Sequence, residues 1–308
     1  MLNFEYATIE DKKWLQPILA ASGKMGSENA FGTLFIWNET YHSRICRKDG
    51  YVYLSSGEHY HTYNFPYVAD PEKAVSLKDA LELLIADAKE KHFPRFQMWG
   101  LTKEETERVE AIMPGAFEFT LDRDGADYIY NASDLIELAG RKYHGKRNHL
   151  SKFNRQYEWE YEDVTPDTVE VCREISREWC KYNGCDPENG LDKEVRALRK
   201  AFAHFEELGL AGGVIRIEGK PVAYTLGEEI NPDVFLLHFE KALPGYDGLY
   251  AAINNEFAKR HLGGYKYINR EEDLGLEGRR KSKLSYNPVF LVEKYMAVLK
   301  ESEQWEQK

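Results

Sequence analysis

Apolar positions spaced for a helix appear first over residues 76–91, where Leu77, Ala80, Leu81, Leu84, Ile85 and Ala88 form one stripe behind a capping Ser76. Thr8 caps a predicted helix over 9–22, a second covers roughly 28–37, and a third starts at Thr102, with Glu105 three residues on completing a capping box. Between them lie short alternating stretches that predict strands near 43–47, 50–55 and 60–64, turned at Lys48-Asp49-Gly50 and Ser55-Ser56-Gly57, then at Phe96–Trp99 and Phe117–Leu121. The second half has the same order. Helices over about 167–183 and 192–206 lead to strands 211–218, 220–229 and 233–241, the first two joined by Glu218-Gly219-Lys220. A long helix over about 247–262, a strand Lys266–Asn269, a short helical piece near 276–283 and a strand near 289–295 complete it. Helices, a meander, then helix, strand, helix, strand: the repeat is one of pattern and predicts two domains, 1–125 and 126–308.

Length agrees with this division, because 308 residues can fill two cores of about 130–170 residues each. With 43% apolar and 30% charged residues the chain is globular. No apolar run approaches the ~18–20 residues of a membrane span, and MLNFEYATIEDKKW lacks the basic-then-apolar order of a signal peptide, so a cytoplasmic protein is expected. Cys46, Cys172, Cys180 and Cys185 form no CxxC pair and have no matching histidine pattern; reduced thiols and no metal site are the expectation.

Charge is distributed unevenly. The net charge is -11, yet 141–157, RKYHGKRNHLSKFNRQY, carries Arg141, Lys142, Lys146, Arg147, Lys152 and Arg155 without one acidic residue. Lys142, Lys146 and Arg147 share a face at helical spacing, with Leu150 and Phe153 for the opposite stripe, and such a face suits phosphates. A solvated basic helix is the plain alternative. Residues 265–288, YKYINREEDLGLEGRRKSKLSYNP, pack four acidic and six basic side chains together, too polar for a core and too varied for an ordinary exposed face. The chain has no GxSxG, Walker loop, GxGxxG or HExxH.

The element order resembles the N-acetyltransferase-like (GNAT) fold, which implies an α+β protein of two tandem GNAT-like (acyl-CoA N-acyltransferase) domains, each a mixed, mostly antiparallel sheet flanked by helices. In that fold strands four and five splay apart around the donor's acyl arm, and its phosphates lie at the start of the following helix. The corresponding loop here is Leu243-Pro244-Gly245-Tyr246-Asp247-Gly248. Gly245 and Gly248 would let backbone approach a ligand, but the usual Q/R-x-x-G-x-G/A run is missing and Asp247 adds negative charge where a pyrophosphate would sit. KRNHLSKF at 146–153, FEKA at Phe239–Ala242, GLYAAINNEFAK at Gly248–Lys259 and NREEDLGLEGRRKSKLSYNP at 269–288 resemble the soluble relatives of the C-terminal catalytic domain of phosphatidylglycerol lysyltransferase. That group is akin to the Fem-type peptidyltransferases, which use aminoacyl-tRNA. The match covers mainly 126–295 and implies aminoacyl transfer from charged tRNA to an amine or hydroxyl acceptor, small or lipid-like; nothing in the sequence corresponds to the lysyltransferase's membrane-embedded part.

Ester aminolysis needs a placed nucleophile, a proton acceptor and a donor to the developing oxyanion. Glu240, at the end of the fourth strand, and Glu271 or Asp273, after the fifth, flank the expected gap as candidate bases or amine binders, with Asn269 to orient a carbonyl. A structural ion pair of Glu240 with Lys241 or another neighbour is the bland reading. Lys142, Lys146, Arg147, Arg279, Arg280, Lys281 and Lys283 are candidates for phosphate or oxyanion contacts. Tyr224, Tyr246 and Tyr286 offer hydroxyls, although packing is the commoner role among 20 tyrosines. No tightly bound cofactor is expected, and the co-substrate is aminoacyl-tRNA, held locally and salt-sensitively, or an acyl-CoA. A non-catalytic binder of anionic ligands is the remaining class, favoured if the acidic residues are all locked in ion pairs and no cleft is open.

Overall fold

A computed structural model describes residues 2–57, 61–185 and 191–300. The loop after Ser55-Ser56-Gly57, including the first residue of the strand expected at 60–64, lies outside them. In chain order the elements are β1 (Glu5–Tyr6), α1 (Lys12–Ala21), α2 (Phe31–Ile36), α3 (Asn38–Tyr41), β2 (Arg44–Lys48), β3 (Tyr51–Ser56), β4 (Thr62–Tyr63), β5 (Tyr67–Val68), α4 (Leu77–Glu90), β6 (Gln97–Leu101), α5 (Lys103–Ile112) and β7 (Phe117–Asn131). There follow α6 (Ala132–Glu137), α7 (His144–Gln156), β8 (Trp159–Asp163), α8 (Val169–Asn183), α9 (Leu191–Ala203), β9 (Ala211–Ile217), β10 (Lys220–Asn231), β11 (Val234–Ala242), α10 (Leu249–His261), β12 (Tyr267–Asn269), α11 (Glu277–Leu284) and β13 (Phe290–Leu299). The chain divides into two units, one running to Ala126 and resuming at Val292, the other spanning Asp127–Leu291. Both passages occur inside long strands, β7 and β13.

The first unit takes its shape from the predicted caps. Ser76 accepts from the Asp79 amide at the start of α4, and Thr102 and Glu105 form the capping box of α5. The buried face of α4, Ala80, Leu81, Leu84 and Ala88, packs with Tyr53, Tyr63, Met98 and Phe117 from the strands. In the second unit the strand order is β7-β12-β11-β10-β9-β8, all antiparallel except β11 with β12. Its core joins Tyr128 and Tyr130 of β7 to Phe235 of β11, Phe257 of α10 and Ile268 of β12. In each unit a strand that precedes the long helix pairs parallel with the strand after it: β4 with β6, with β5 intervening before α4, and β11 with β12.

Two local features prepare the site. β11 and β12 pair only at Val234–Tyr267, Phe235–Ile268 and Leu236–Asn269, after which β11 continues to Ala242 paired with β10 but no longer with β12. On its other edge β11 carries a bulge: Leu226 faces Phe239 and Gly227 faces Leu237, so His238 is the extra residue. Gly227 is required there, because a Cβ would lie 2.1 Å from the Leu236 carbonyl oxygen and 2.5 Å from the Phe235 ring. Cys180 and Cys185 form a disulfide, which corrects the expectation of reduced thiols: Gly184, at φ 63, turns the chain back beyond α8 and brings the two Cα atoms to 5.1 Å. Cys46 and Cys172 are free and buried.

Gly227→Ala forces the bulge apart and is expected to lower stability by about 1–3 kcal/mol. Urea unfolding checks it, with no change in midpoint as the contrary result.

Candidate functional site

The splayed end of β11 and β12 opens into a cleft of about 640 Å³, lined by side chains of the second unit alone. His238 and Glu240 of β11, Arg270 and Glu271 after β12, Lys146 of α7, and Lys283 and Tyr286 at the end of α11 are its polar walls. Trp179 of α8, Glu194 of α9 and Tyr250 of α10 close another side.

The centre is an ion pair. Glu240 Oε1 accepts from Arg270 Nη2 at 3.0 Å with both side chains 13% exposed, and Glu240 Oε2 accepts from Asn254 Nδ2 of α10 at 3.0 Å. Arg270 stays charged: burial opposes its charge most strongly, but Glu240, Tyr130 and Tyr286 together outweigh it and raise its pKa. Its guanidinium also lies over Tyr286, 4.8 Å from the ring centroid, and Nη1 is buried without a hydrogen-bond partner among the described residues. Lys146 approaches the same tyrosine, 3.5 Å from its centroid, and donates to Ser285 Oγ at 2.7 Å. Desolvation, with repulsion from Arg270, pushes the Lys146 pKa down to about 8 against the pull of Glu240. Lys283 donates to the backbone oxygens of Arg270 and Glu271, and its pKa is lowered by burial.

Beside this pair sits a buried histidine between two carboxylates. His238 Nε2 lies 2.8 Å from Glu228 Oε1 and Nδ1 lies 3.2 Å from Glu271 Oε1. Burial alone would lower the imidazole pKa, but the hydrogen bonds and charges of Glu228 and Glu271 outweigh it and raise the value from 6.5 to about 9.

The expected residues separate into those on the cleft and those away from it. Glu240, Glu271, Lys146, Gly248, Tyr246, Arg279, Lys283 and Tyr286 line it. Asp273 does not: it accepts from Arg280 at 2.8 and 2.9 Å, from Tyr128 at 2.5 Å and from the Gly275 amide, which hold its pKa far below the usual carboxylate range. Arg280 is thereby committed to Asp273 and Lys281 is exposed. Asn269 is buried, donating to Asp127 and accepting the Glu271 amide at 2.6 Å. Tyr224 is buried in the core against Ser176 and Phe202. Lys142 pairs with Asp134, and Arg147 ties down α6 by donating to the Leu138 and Gly140 carbonyls. Gly245, at φ 93, shapes the loop before α10, whereas Gly248 is fixed by packing, since a Cβ would meet the His149 carbonyl oxygen at 2.6 Å. Asp247 there pairs with Lys152, and its amide donates to Tyr157 Oη, so this loop presents a carboxylate at the start of α10.

Glu240 is paired, but with Arg270, while Lys241 goes to Glu194 and stacks 3.6 Å from the Trp179 ring centroid. His238, Arg270, Trp179, Glu194 and Asn254 were the residues that pattern reading missed. A charged or polar residue amid the apolar run of β11 was the available signal for His238. Among the described residues no group of three or more His, Cys, Asp or Glu side chains is placed to hold a metal, and no helix is long and apolar enough to cross a membrane.

Residues 20–298 match the family described as phosphatidylglycerol lysyltransferase, C-terminal. The chain belongs to that family. A conserved protein of unknown function from Bacteroides thetaiotaomicron VPI-5482 is 41% identical, covering 97% of this chain and 100% of that one, with a TM-score of 0.92. L-PGS from Bacillus licheniformis shares the fold at 16% identity, with 98% and 95% of the chains covered and a TM-score of 0.65. A tandem GNAT protein from the clavulanic acid biosynthesis pathway does so at 14% identity, covering 98% and 100%, with a TM-score of 0.52. The architecture is thus that of tandem GNAT-like proteins. An uncharacterised protein of Mycoplasmoides gallisepticum is 22% identical over 181 residues, and the matched segment spans 57% of the length of that curated relative.

Two outcomes test the electrostatics. Arg270→Met leaves Glu240 buried without its cation and is expected to cost about 3–5 kcal/mol in urea unfolding, whereas the double change with Glu240→Met recovers most of it; additive losses would contradict the pairing. Because the folded-state pKa of His238 lies above its ordinary 6.5, its contribution is complete below that pH and is lost as pH rises through about 9. The melting temperature of the wild type should therefore fall across this window by more than that of His238→Gln, and equal slopes would contradict the assignment.

Proposed function

We propose that the protein transfers an aminoacyl group from aminoacyl-tRNA to an amine or hydroxyl acceptor, a small molecule or a lipid-like one, in the cleft between the parted ends of β11 and β12. Family membership and the tandem GNAT-like fold support this reaction class. The observation that carries it is the pair of cations at the centre of the cleft: Arg270, whose Nη1 has no hydrogen-bond partner among the described residues, and Lys146, both beside the paired Glu240. When the acceptor attacks the ester, its carbonyl oxygen gains negative charge, and preorganised cations in a desolvated cleft stabilise that charge more than water does.

The loop before α10 favours tRNA over acyl-CoA. Asp247 places a carboxylate where a pyrophosphate would need free backbone donors, and its own amide is taken by Tyr157. The tRNA backbone instead meets exposed cations. Lys142 and Lys152 are held in solvent-accessible pairs with Asp134 and Asp247, each worth about 0–1 kcal/mol, so phosphates can displace those partners. A purely non-catalytic binder is disfavoured because the cleft is open and Glu271 is not locked by any of the cations over 279–283.

Calorimetric titration against aminoacyl-tRNA and against acetyl-CoA at low and moderate salt is the test. Saturable binding of charged tRNA is expected, weakening as salt rises, and roughly tenfold weaker in Lys142→Ala/Lys146→Ala, about 1.4 kcal/mol. Binding of acetyl-CoA alone would replace the reading with acyl-CoA-dependent N-acyl transfer, and binding of neither would leave the anionic-ligand module.

A further inference from the structure

Five carboxylates lie in or beside this cleft: Glu272 is among its lining residues, next to Glu271, and the other four have different partners. Asp273 has both oxygens on Arg280, Tyr128 and Gly275 and does not line the cavity. Glu240 has one oxygen on Arg270 and the other on Asn254. Glu194 is paired with Lys241. Glu271 differs: Oε1 contacts His238, and Oε2 has no hydrogen-bond partner among the described residues, while the side chain is 24% exposed in the cleft.

The backbone holds Glu271 for this placement. It adopts φ 59, a left-handed conformation that a non-glycine residue keeps only when its surroundings impose it. Here the Glu271 amide donates to Asn269 Oδ1 at 2.6 Å, and its carbonyl accepts from the Tyr128 amide at 3.2 Å and from Lys283. His238 is aimed by the bulge in β11, and Glu228, almost wholly buried, fixes its far nitrogen.

We propose that Glu271 is the catalytic residue that takes the acceptor's proton, with His238, backed by Glu228, as the positioning residue that holds its carboxylate. This rests on the aminoacyl-transfer reading above. The acceptor's nitrogen or oxygen forms a bond to the ester carbonyl carbon while its proton passes to Glu271 Oε2. The bond from that carbon to the ribose oxygen then breaks, and the same proton passes to the ribose oxygen, so the carboxylate is regenerated and no further reactant is needed. The arrangement of buried carboxylate, imidazole and cleft-facing group follows the logic by which a reactive side chain is oriented through a second and a third. The raised pKa of His238 keeps it doubly protonated near neutrality, with a proton for each flanking carboxylate.

The test uses the full chain with tRNA charged with a radiolabelled amino acid, and ethanolamine or water as the acceptor. Glu271→Gln and Glu271→Ala are expected to lower turnover by about 100-fold or more with donor affinity changed less than about twofold, and formate should restore part of the rate to Glu271→Ala. His238→Gln, which still donates one hydrogen bond to Glu271, should lose turnover rather than KM and lose less than His238→Leu. A Glu271→Gln protein that keeps the wild-type rate, or a loss that follows Glu272→Gln instead, overturns the assignment while leaving the transfer reading intact. So does a wild type that binds charged tRNA but accelerates neither reaction. A wild type that binds no charged tRNA brings down both.

Discussion

β11 and β12 run side by side for three residue pairs and then part, and the backbone groups released at that point must find partners elsewhere. They do so through side chains from the whole second unit. Asn269 accepts the Glu271 amide, Tyr128 exchanges backbone hydrogen bonds with Arg270 and Glu271, and Lys283 reaches the Arg270 and Glu271 carbonyls. The gap is therefore a built opening, with its edges satisfied and its side chains directed inward.

Charge inside the gap is balanced locally. Arg270 with Glu240, His238 with Glu228 and Glu271, and Lys241 with Glu194 are three separate sets, each with a buried cation. Burying an unpaired ion costs several kcal/mol, so each set is self-compensating. What is left over has chemical use: a guanidinium nitrogen on Arg270, a lysine on the tyrosine ring with a lowered pKa, and one carboxylate oxygen on Glu271.

Periodicity and caps made the elements legible. Ser76, Thr102 and the Glu218-Gly219 turn lie where their chemistry places them, and β7 alone is much longer than its expected 117–121 because its second part serves the next unit. The splay at the ends of β11 and β12 was legible only through the resemblance, and with it Glu240 and Glu271. Arg270 was legible as a charge but its partner was not, since pairing across a parallel gap depends on where two strands diverge. His238 stood out only as a polar residue in the apolar run of β11; its placement follows from a bulge at Gly227, which no local pattern reveals. Arg147 and Asp273 make structural contacts and do not line the cleft, an arrangement that charge patterning alone does not distinguish from ligand contacts. The disulfide was missed because a five-residue separation closes only with the reversal at Gly184.

A crystal structure with a hydrolysis-resistant aminoacyl-adenosine, the ester oxygen replaced by nitrogen, tests the central claim most directly. The aminoacyl carbonyl oxygen is expected within hydrogen-bond distance of Arg270 Nη1, inside the gap between β11 and β12. An analogue seated elsewhere, or one whose aminoacyl end points out of the gap, would contradict it.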